Sequence, residues 1–162
     1  PICWTKPPPR YMKCNVDVAI FNDSNCCGFA FCILDDRGRF NSATSGWYNS
    51  SSSPNEAEAI ACLEAITWLA NSHYEKVLIE LDCKQVVDDL YDSISHSSKY
   101  GRLINKGRSL LTLHKNLEVR FVRRQANHVV HILARVSRLY ANPHHFDFIP
   151  TCIVASIMNE MS

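Results

Sequence analysis

Polar and apolar residues alternate along "KCNVDVAIF" (residues 13–21). Cys14, Val16, Val18 and Ile20 fall on one side, and Asn15, Asp17, Ala19 and Phe21 on the other. A period of two is that of a β-strand, whose successive side chains point to opposite faces. The stretch "NDSNCCG" then turns the chain, with Cys26 and Cys27 in the turn. "FAFCIL" reads as a second strand, "DDRGR" turns it again, and residues 40–48 supply a third. Strands joined this closely make an antiparallel meander.

After "NSSSSPNE" the period lengthens. Ser53 suits an N-cap, Pro54 the first helical position, and Glu56 completes a capping box. The helix is expected to reach about Ser72, with Ile60, Leu63, Ile66, Leu69 and Ala70 as its apolar face. "KVLIELD" is almost continuously apolar, as in a strand covered on both faces. Val86, Val87, Leu90, Tyr91 and Ile94 mark a second helix. Leu103, Ile104, Leu110 and Leu111 mark a third, kinked near Gly107. "LEVRFVR" is a fifth strand, and residues 127–140 form a fourth helix. The order implies an α/β fold with a mixed five-stranded sheet, three antiparallel strands then two parallel, and helices on both faces. Four of the seven prolines fall in residues 1–12, which read as a linker. Residues 13–141 are then the domain, and 142–162 an extension of loop and short helix.

Composition changes this picture little. At 46% hydrophobic and 20% charged residues, the chain is an ordinary globular domain. No apolar run approaches the ~20 residues of a spanning helix, so no membrane role is expected. A chain that starts with Pro1 suggests a monomeric domain within a longer polypeptide. The eight cysteines include no C-x-x-C pair, and Cys14, Cys32, Cys62 and Cys83 sit in apolar segments. They read as buried thiols, with a zinc site or a disulfide framework as alternatives. That usage suits a reducing, intracellular compartment (nuclear or cytoplasmic) rather than secretion. Charge is segregated: residues 1–95 carry 7 Lys/Arg against 13 Asp/Glu, and residues 96–162 carry 10 against 3. An acidic pocket and a basic face can therefore share one domain.

The acids worth following are Asp17, Glu58 and Asp82. A carboxylate in the middle of a strand, as at Asp17, is costly to bury unless something pairs with it. Asp82 ends the fourth strand, at the edge where open α/β sheets hold their sites. Glu58 lies on the flank of the first helix's apolar face, beside Cys62 and Leu69. Converged, the three would offer oxygen ligands to a hard cation such as Mg²⁺. Two plainer readings stay open: Asp82 as N-cap of the second helix, and Glu56 and Glu58 as first-turn acids favoured by the helix dipole.

Four segments in this order carry a family resemblance: "NVDVAIF" with Asp17, "NEAEAIACLEAITWL" with Glu58, "VLIELDCKQVV" with Asp82, and "VRRQANHVVHILAR". Over residues 13–140 the chain resembles the ribonuclease-H-like family, in the form abundant in plant genomes and often derived from retroelements. The resemblance implies metal-dependent hydrolysis of the RNA strand of an RNA–DNA hybrid. Asp17, Glu58 and Asp82 would hold two Mg²⁺ ions, with Mn²⁺ as a substitute. Enzymatic relatives carry a fourth acid in the last helix, in a pattern like N-x-x-A-D-x-L-A. This chain reads "NHVVHILA" over residues 127–134, which puts His131 at the acid's place. Imidazole is a poorer partner for Mg²⁺ than an oxygen, yet it can ligate a metal or shuttle a proton near neutral pH. His131 is thus a site candidate, with a structural role as the alternative; His128 is expected to face solvent. A second departure is Val18, where relatives often have Gly or Ala against the RNA.

For the nucleic-acid partner, Lys99, Arg102 and Lys106 recur at helical spacing with Arg108 nearby, and Arg123 and Arg124 adjoin the site. They are candidates for phosphate contacts that are salt-dependent and indifferent to sequence, though ordinary solvated cations would look the same. Asn55, just ahead of Glu58, could donate to a base or sugar, and the 2′-hydroxyl would mark the RNA strand.

Overall fold

A computed structural model describes residues 3–92 and 97–160 of the chain. The alternating first segment forms β1 (Tyr11–Phe21), at the centre of the sheet. It pairs antiparallel with β2 (Cys26–Leu34), which pairs antiparallel with β3 (Phe40–Asn49). On its other side β1 runs parallel to β4 (Lys76–Leu81), and β4 parallel to β5 (Leu117–Phe121). A sixth strand, β6 (His144–Phe146), lies antiparallel to β3, so the order is β5-β4-β1-β2-β3-β6. The expected α/β class therefore holds, with six strands in place of five. Three residues in a segment without period-two patterning carry no strand signal of their own.

The alternation of β1 sorts its side chains into two cores. Cys14 and Val16 join Phe31, Ile33, Ile79 and Leu81 under α1 (Pro54–Ala70), α2 (Lys84–Leu90) and α3 (Lys99–Leu113). Ala19 joins Ala30, Cys32 and Leu34 under α4 (His128–Arg135) and α5 (Val154–Glu160). Both faces of β4 are covered, as its unbroken apolar run requires.

Several boundaries differ from expectation, each for a local reason. Within the expected linker, residues 3–12 join the domain: β1 already includes Tyr11 and Met12, and Trp4 is buried in the second core. Cys26 and Cys27 lie buried in β2 rather than in a turn, and all eight cysteines are free thiols. Ser53 caps α1 as expected, its hydroxyl accepting from the Glu56 N–H at 3.3 Å. The buried stripe of α1, however, is Ala57, Ala61, Cys62, Ala65, Ile66 and Leu69, while Ile60, Leu63 and Ala70 stay half-buried. Small side chains let this helix lie close to the sheet, a preference that hydrophobicity alone does not encode.

Asp82 does not cap α2; Cys83 holds that position without a side-chain bond. α2 stops at Leu90, and Ile94 lies outside the described residues. α3 runs unbroken through Gly107, where a Cβ would meet Leu90 Cδ2 at 2.8 Å, so the glycine serves close packing on α2. Arg108 belongs to the same seam and donates to the Asp89 carbonyl at 2.6 and 2.9 Å. The expected fourth helix is divided into a 3-10 turn (Arg124–Asn127), α4, and a second 3-10 turn (Ser137–Leu139).

Candidate metal and nucleic-acid site

Parallel pairing of β1 with β4 puts Val16 opposite Leu81, so the next residues, Asp17 and Asp82, emerge side by side at one edge of the sheet. α1 enters over the same edge and carries Glu58 one turn in from its Pro54 start. The three carboxylates offer oxygens that all lie within 4.8 Å of one another. A cleft of about 200 Å³ opens onto Asp17 and Glu58, and its lining also includes Val18, Ala19, Ile20, Pro54, Arg124, His131 and Arg135.

The electrostatics are those of acids gathered with too few partners. Glu58 Oε2 is buried with no hydrogen bond. Burial, then repulsion from Asp17 and Asp82, lifts the Glu58 carboxyl from 4.5 to about 9, against the pull of Arg124. Asp17 rises from 3.8 to about 6, chiefly through burial and next through Asp82, while the Val18 N–H and His131 pull it down. Arg124, with its side chain 79% exposed, reaches Asp82 at 3.4 Å, where only 5% of the acid's side chain is accessible. Three close oxygens with an orphaned acceptor among them form a donor set for a hard divalent cation.

His131 projects from the second turn of α4, and its Nδ1 lies 2.7 Å from Asp17 Oδ2. With Asp17 ionised, a carboxylate can only accept, so the shared proton sits on Nδ1. The imidazole thus grips one carboxylate and stands outside the three-acid group. His128 faces solvent, as expected.

The remaining candidates are distributed unevenly. Arg123 is exposed beside Arg124, and Asn55 is exposed at the start of α1, its Oδ1 accepting from Cys83 Sγ at 3.5 Å. Lys99 reaches the site's border through Glu56, 3.5 Å away. Arg102 is exposed and donates to the Ser97 carbonyl at 2.8 Å; Lys106 is exposed farther along α3, and neither lines the cleft. Arg135, which does line it, escaped the sequence reading; its signal was the four-residue spacing from His131 on one helix face.

A family model described as reverse transcriptase-like matches residues 15–137, from within β1 to just past the end of α4. The chain belongs to the reverse transcriptase-like family. This reverse transcriptase-like domain has the ribonuclease-H fold. A ribonuclease H1 of the halophilic archaeon Halobacterium salinarum superposes with a TM-score of 0.69 at 17% identity, over 79% of this chain and 97% of that one. A compost-derived ribonuclease H1 in complex with an RNA/DNA hybrid gives 0.63 at 15%, over 74% and 91%. The foamy viral protease–reverse transcriptase in complex with a hybrid gives 0.58 at 12%, over 82% of this chain and 20% of that one. No curated protein matches the domain. No helix among its described residues is long and apolar enough to cross a membrane.

Proposed function

We propose that this domain binds RNA–DNA hybrids and cleaves their RNA strand with divalent metal, Mg²⁺ by preference and Mn²⁺ as a substitute. The observation that carries this reading is the convergence of Asp17, Glu58 and Asp82 around an unpartnered, buried Glu58 oxygen. Such a cluster fits a cation, because positive charge offsets the burial and the mutual repulsion that raise the Glu58 and Asp17 carboxyls. Asp17, Glu58 and Asp82 would hold two ions, which when bound activate water and stabilise the leaving 3′-oxygen.

The protein's own residues do the rest. His131 fixes the orientation of Asp17 through Nδ1. Arg124 borders the carboxylates, and with its exposed neighbour Arg123 would hold the phosphates on either side of the scissile bond. Asn55 would donate to a base or sugar at the mouth of the cleft. Val18, in the cleft wall, narrows the approach of the RNA backbone. Lys99, Arg102 and Lys106 would follow the duplex outward along α3 by charge alone. Relatives of the same fold that were captured with an RNA/DNA hybrid support this choice of substrate.

The test is cleavage of a labelled hybrid in Mg²⁺ or Mn²⁺ by purified domain. Asp17→Asn should abolish cleavage while leaving fold and hybrid binding in place. A folded domain that nicks in neither metal defeats the nuclease reading. A second reading, a hybrid-binding module without turnover, draws on His131 in the acid's place and on Val18 in the cleft wall. It requires hybrid binding that Asp17→Asn leaves unchanged, with no nicking at any metal concentration.

A further inference from the structure

We infer that Trp4 is a positioning residue for the carboxylate site, acting through a directional chain of buried hydrogen bonds that ends on β1 beside Asp17. The inference rests on the metal-site reading above.

The chain starts on the N-terminal arm, outside the sheet. Trp4 Nε1 donates to Asn15 Oδ1 at 3.0 Å, and both side chains are buried. An indole N–H can only donate, so the Asn15 oxygen must face it. Both Asn15 amide hydrogens then point the other way, to Glu80 Oε1 at 3.0 Å and Asn127 Oδ1 at 3.0 Å. With its oxygen so engaged, Asn127 turns its own Nδ2 onto the Val16 carbonyl at 2.7 Å. Each amide has one workable orientation, required at one end by the donor-only indole and at the other by the Glu80 carboxylate and the Val16 carbonyl, which only accept. Without the indole, Asn15 Oδ1 would be left buried and unpaired, and the link from the arm to the amide pair would be lost.

The far end of this chain touches the chemistry. Asn127 is the residue from which α4 starts, and His131 lies one turn beyond it. Asn127 holds Val16 O, and His131 holds Asp17, the next residue of the same strand. α4 therefore grips β1 at two successive positions, and the first grip depends on Asn15 and Trp4. Lys13 secures the arm from below, its ammonium bonded to the Thr5 carbonyl and lying 5.0 Å from the Trp4 ring.

Trp4→Phe removes the donor and keeps an aromatic ring in the apolar plug, at the cost of some buried volume. Three readouts on the whole chain decide the matter: Mn²⁺ affinity by titration calorimetry, the ¹⁵N resonance of the His131 imidazole in metal-free buffer, and kcat and KM on the hybrid. Metal affinity should weaken by about 10-fold or more, as when groups that orient ligands are lost. The His131 Nδ1 resonance should move, and kcat should fall with KM unchanged. Asn127→Asp, which keeps Trp4 seated and replaces the final donor by a carboxylate oxygen, should reproduce these losses and serves if the phenylalanine variant does not fold. Wild-type Mn²⁺ affinity together with an unmoved imidazole resonance in a folded variant would overturn the inference. Should the wild-type chain show no cleavage, the nuclease reading falls, and the metal and imidazole measurements still judge this one.

Discussion

Two polar clusters lie on the same pair of strands, two residues apart. In the first, Asn15 and Glu80 are register partners across β1 and β4; in the second, Asp17 and Asp82 occupy the positions just beyond. The first is closed. Lys13 meets Glu80 at 3.2 Å, Asn15 bridges Glu80 and Asn127, and Trp4 completes the set. The second is open: three carboxylates share one imidazole and one exposed guanidinium, and an oxygen of Glu58 has nothing. Burial costs of the same kind attach to both clusters. Where buried acids find their partners inside the protein, they specify structure; where three of them gather without enough partners, they are suited to take a cation. The pair of clusters thus separates scaffold from site within a few ångströms.

The strongest way to break the distinction is to substitute each cluster and compare what is lost. On the proposed nuclease reading, Asp17→Asn should cost activity by about 10³-fold or more, since it removes a carboxylate from the candidate metal site. Thermal stability should hold or rise, because one member of a repelling group is gone. Glu80→Ala should cost mainly stability, with an activity loss far smaller than that of Asp17→Asn. It strands the Lys13 ammonium, whose side chain is only 3% exposed, at a cost of about 3–5 kcal/mol. Melting would drop by roughly 10 °C in a domain of this size. Replacing the ion pair by Lys13→Met with Glu80→Leu should recover much of that loss. Equal activity losses at positions 17 and 80, with equal melting shifts, would erase the distinction.

Legibility in the sequence follows the same division. The open cluster could be read because chemistry needs particular residue types at particular places: Asp17 mid-strand, Asp82 at a strand end, and Glu58 one turn into a capped helix. The closed cluster was opaque. Asn15 and Glu80 look like ordinary polar positions of strands, and their partners lie 65 and 112 residues apart in sequence. Trp4 was hidden by its surroundings, because a run of prolines suggests an extended tether whether or not one aromatic among them is buried. The alanine stripe of α1 misled for a related reason, since packing selects small volume where a hydrophobicity pattern selects bulk. Even the class of fold was readable while β6 was not, because a three-residue strand is determined by its neighbour β3.

Next in size is the response of the open cluster to pH. The folded protein retains protons on Glu58 up to about 9 and on Asp17 up to about 6, whereas the unfolded chain releases them near 4.5 and 3.8. Between those values the unfolded state binds fewer protons, so stability in chelator falls as pH rises through the folded values. The loss should be of the order of a few kcal/mol, nearly complete by about pH 9. Added Mn²⁺ should flatten the profile by favouring the ionised cluster. Glu58→Gln should flatten it without metal. A melting temperature in chelator that stays level from acid to alkaline pH would show the acids to be satisfied already, and the cluster closed like its neighbour.

The smallest effect belongs to the surroundings of the open cluster. Arg124 lies against Asp82, while Lys106 stands exposed on α3 outside the cleft. If the hybrid runs from the carboxylates along α3, each of these cations neutralises about one phosphate. Lys106→Ala should then make the log–log dependence of binding on salt shallower by about 1, with kcat unchanged. Arg124→Ala should shift the same slope by a similar amount and lower kcat as well, because it also alters the charge beside Asp82. An unchanged slope for Lys106→Ala, beside a changed one for Arg124→Ala, would confine the substrate to the cleft and return α3 to an ordinary solvated face. Salt titration on an uncleavable hybrid resolves the two cations even where their affinities differ by less than a factor of ten, since a slope is read across many concentrations.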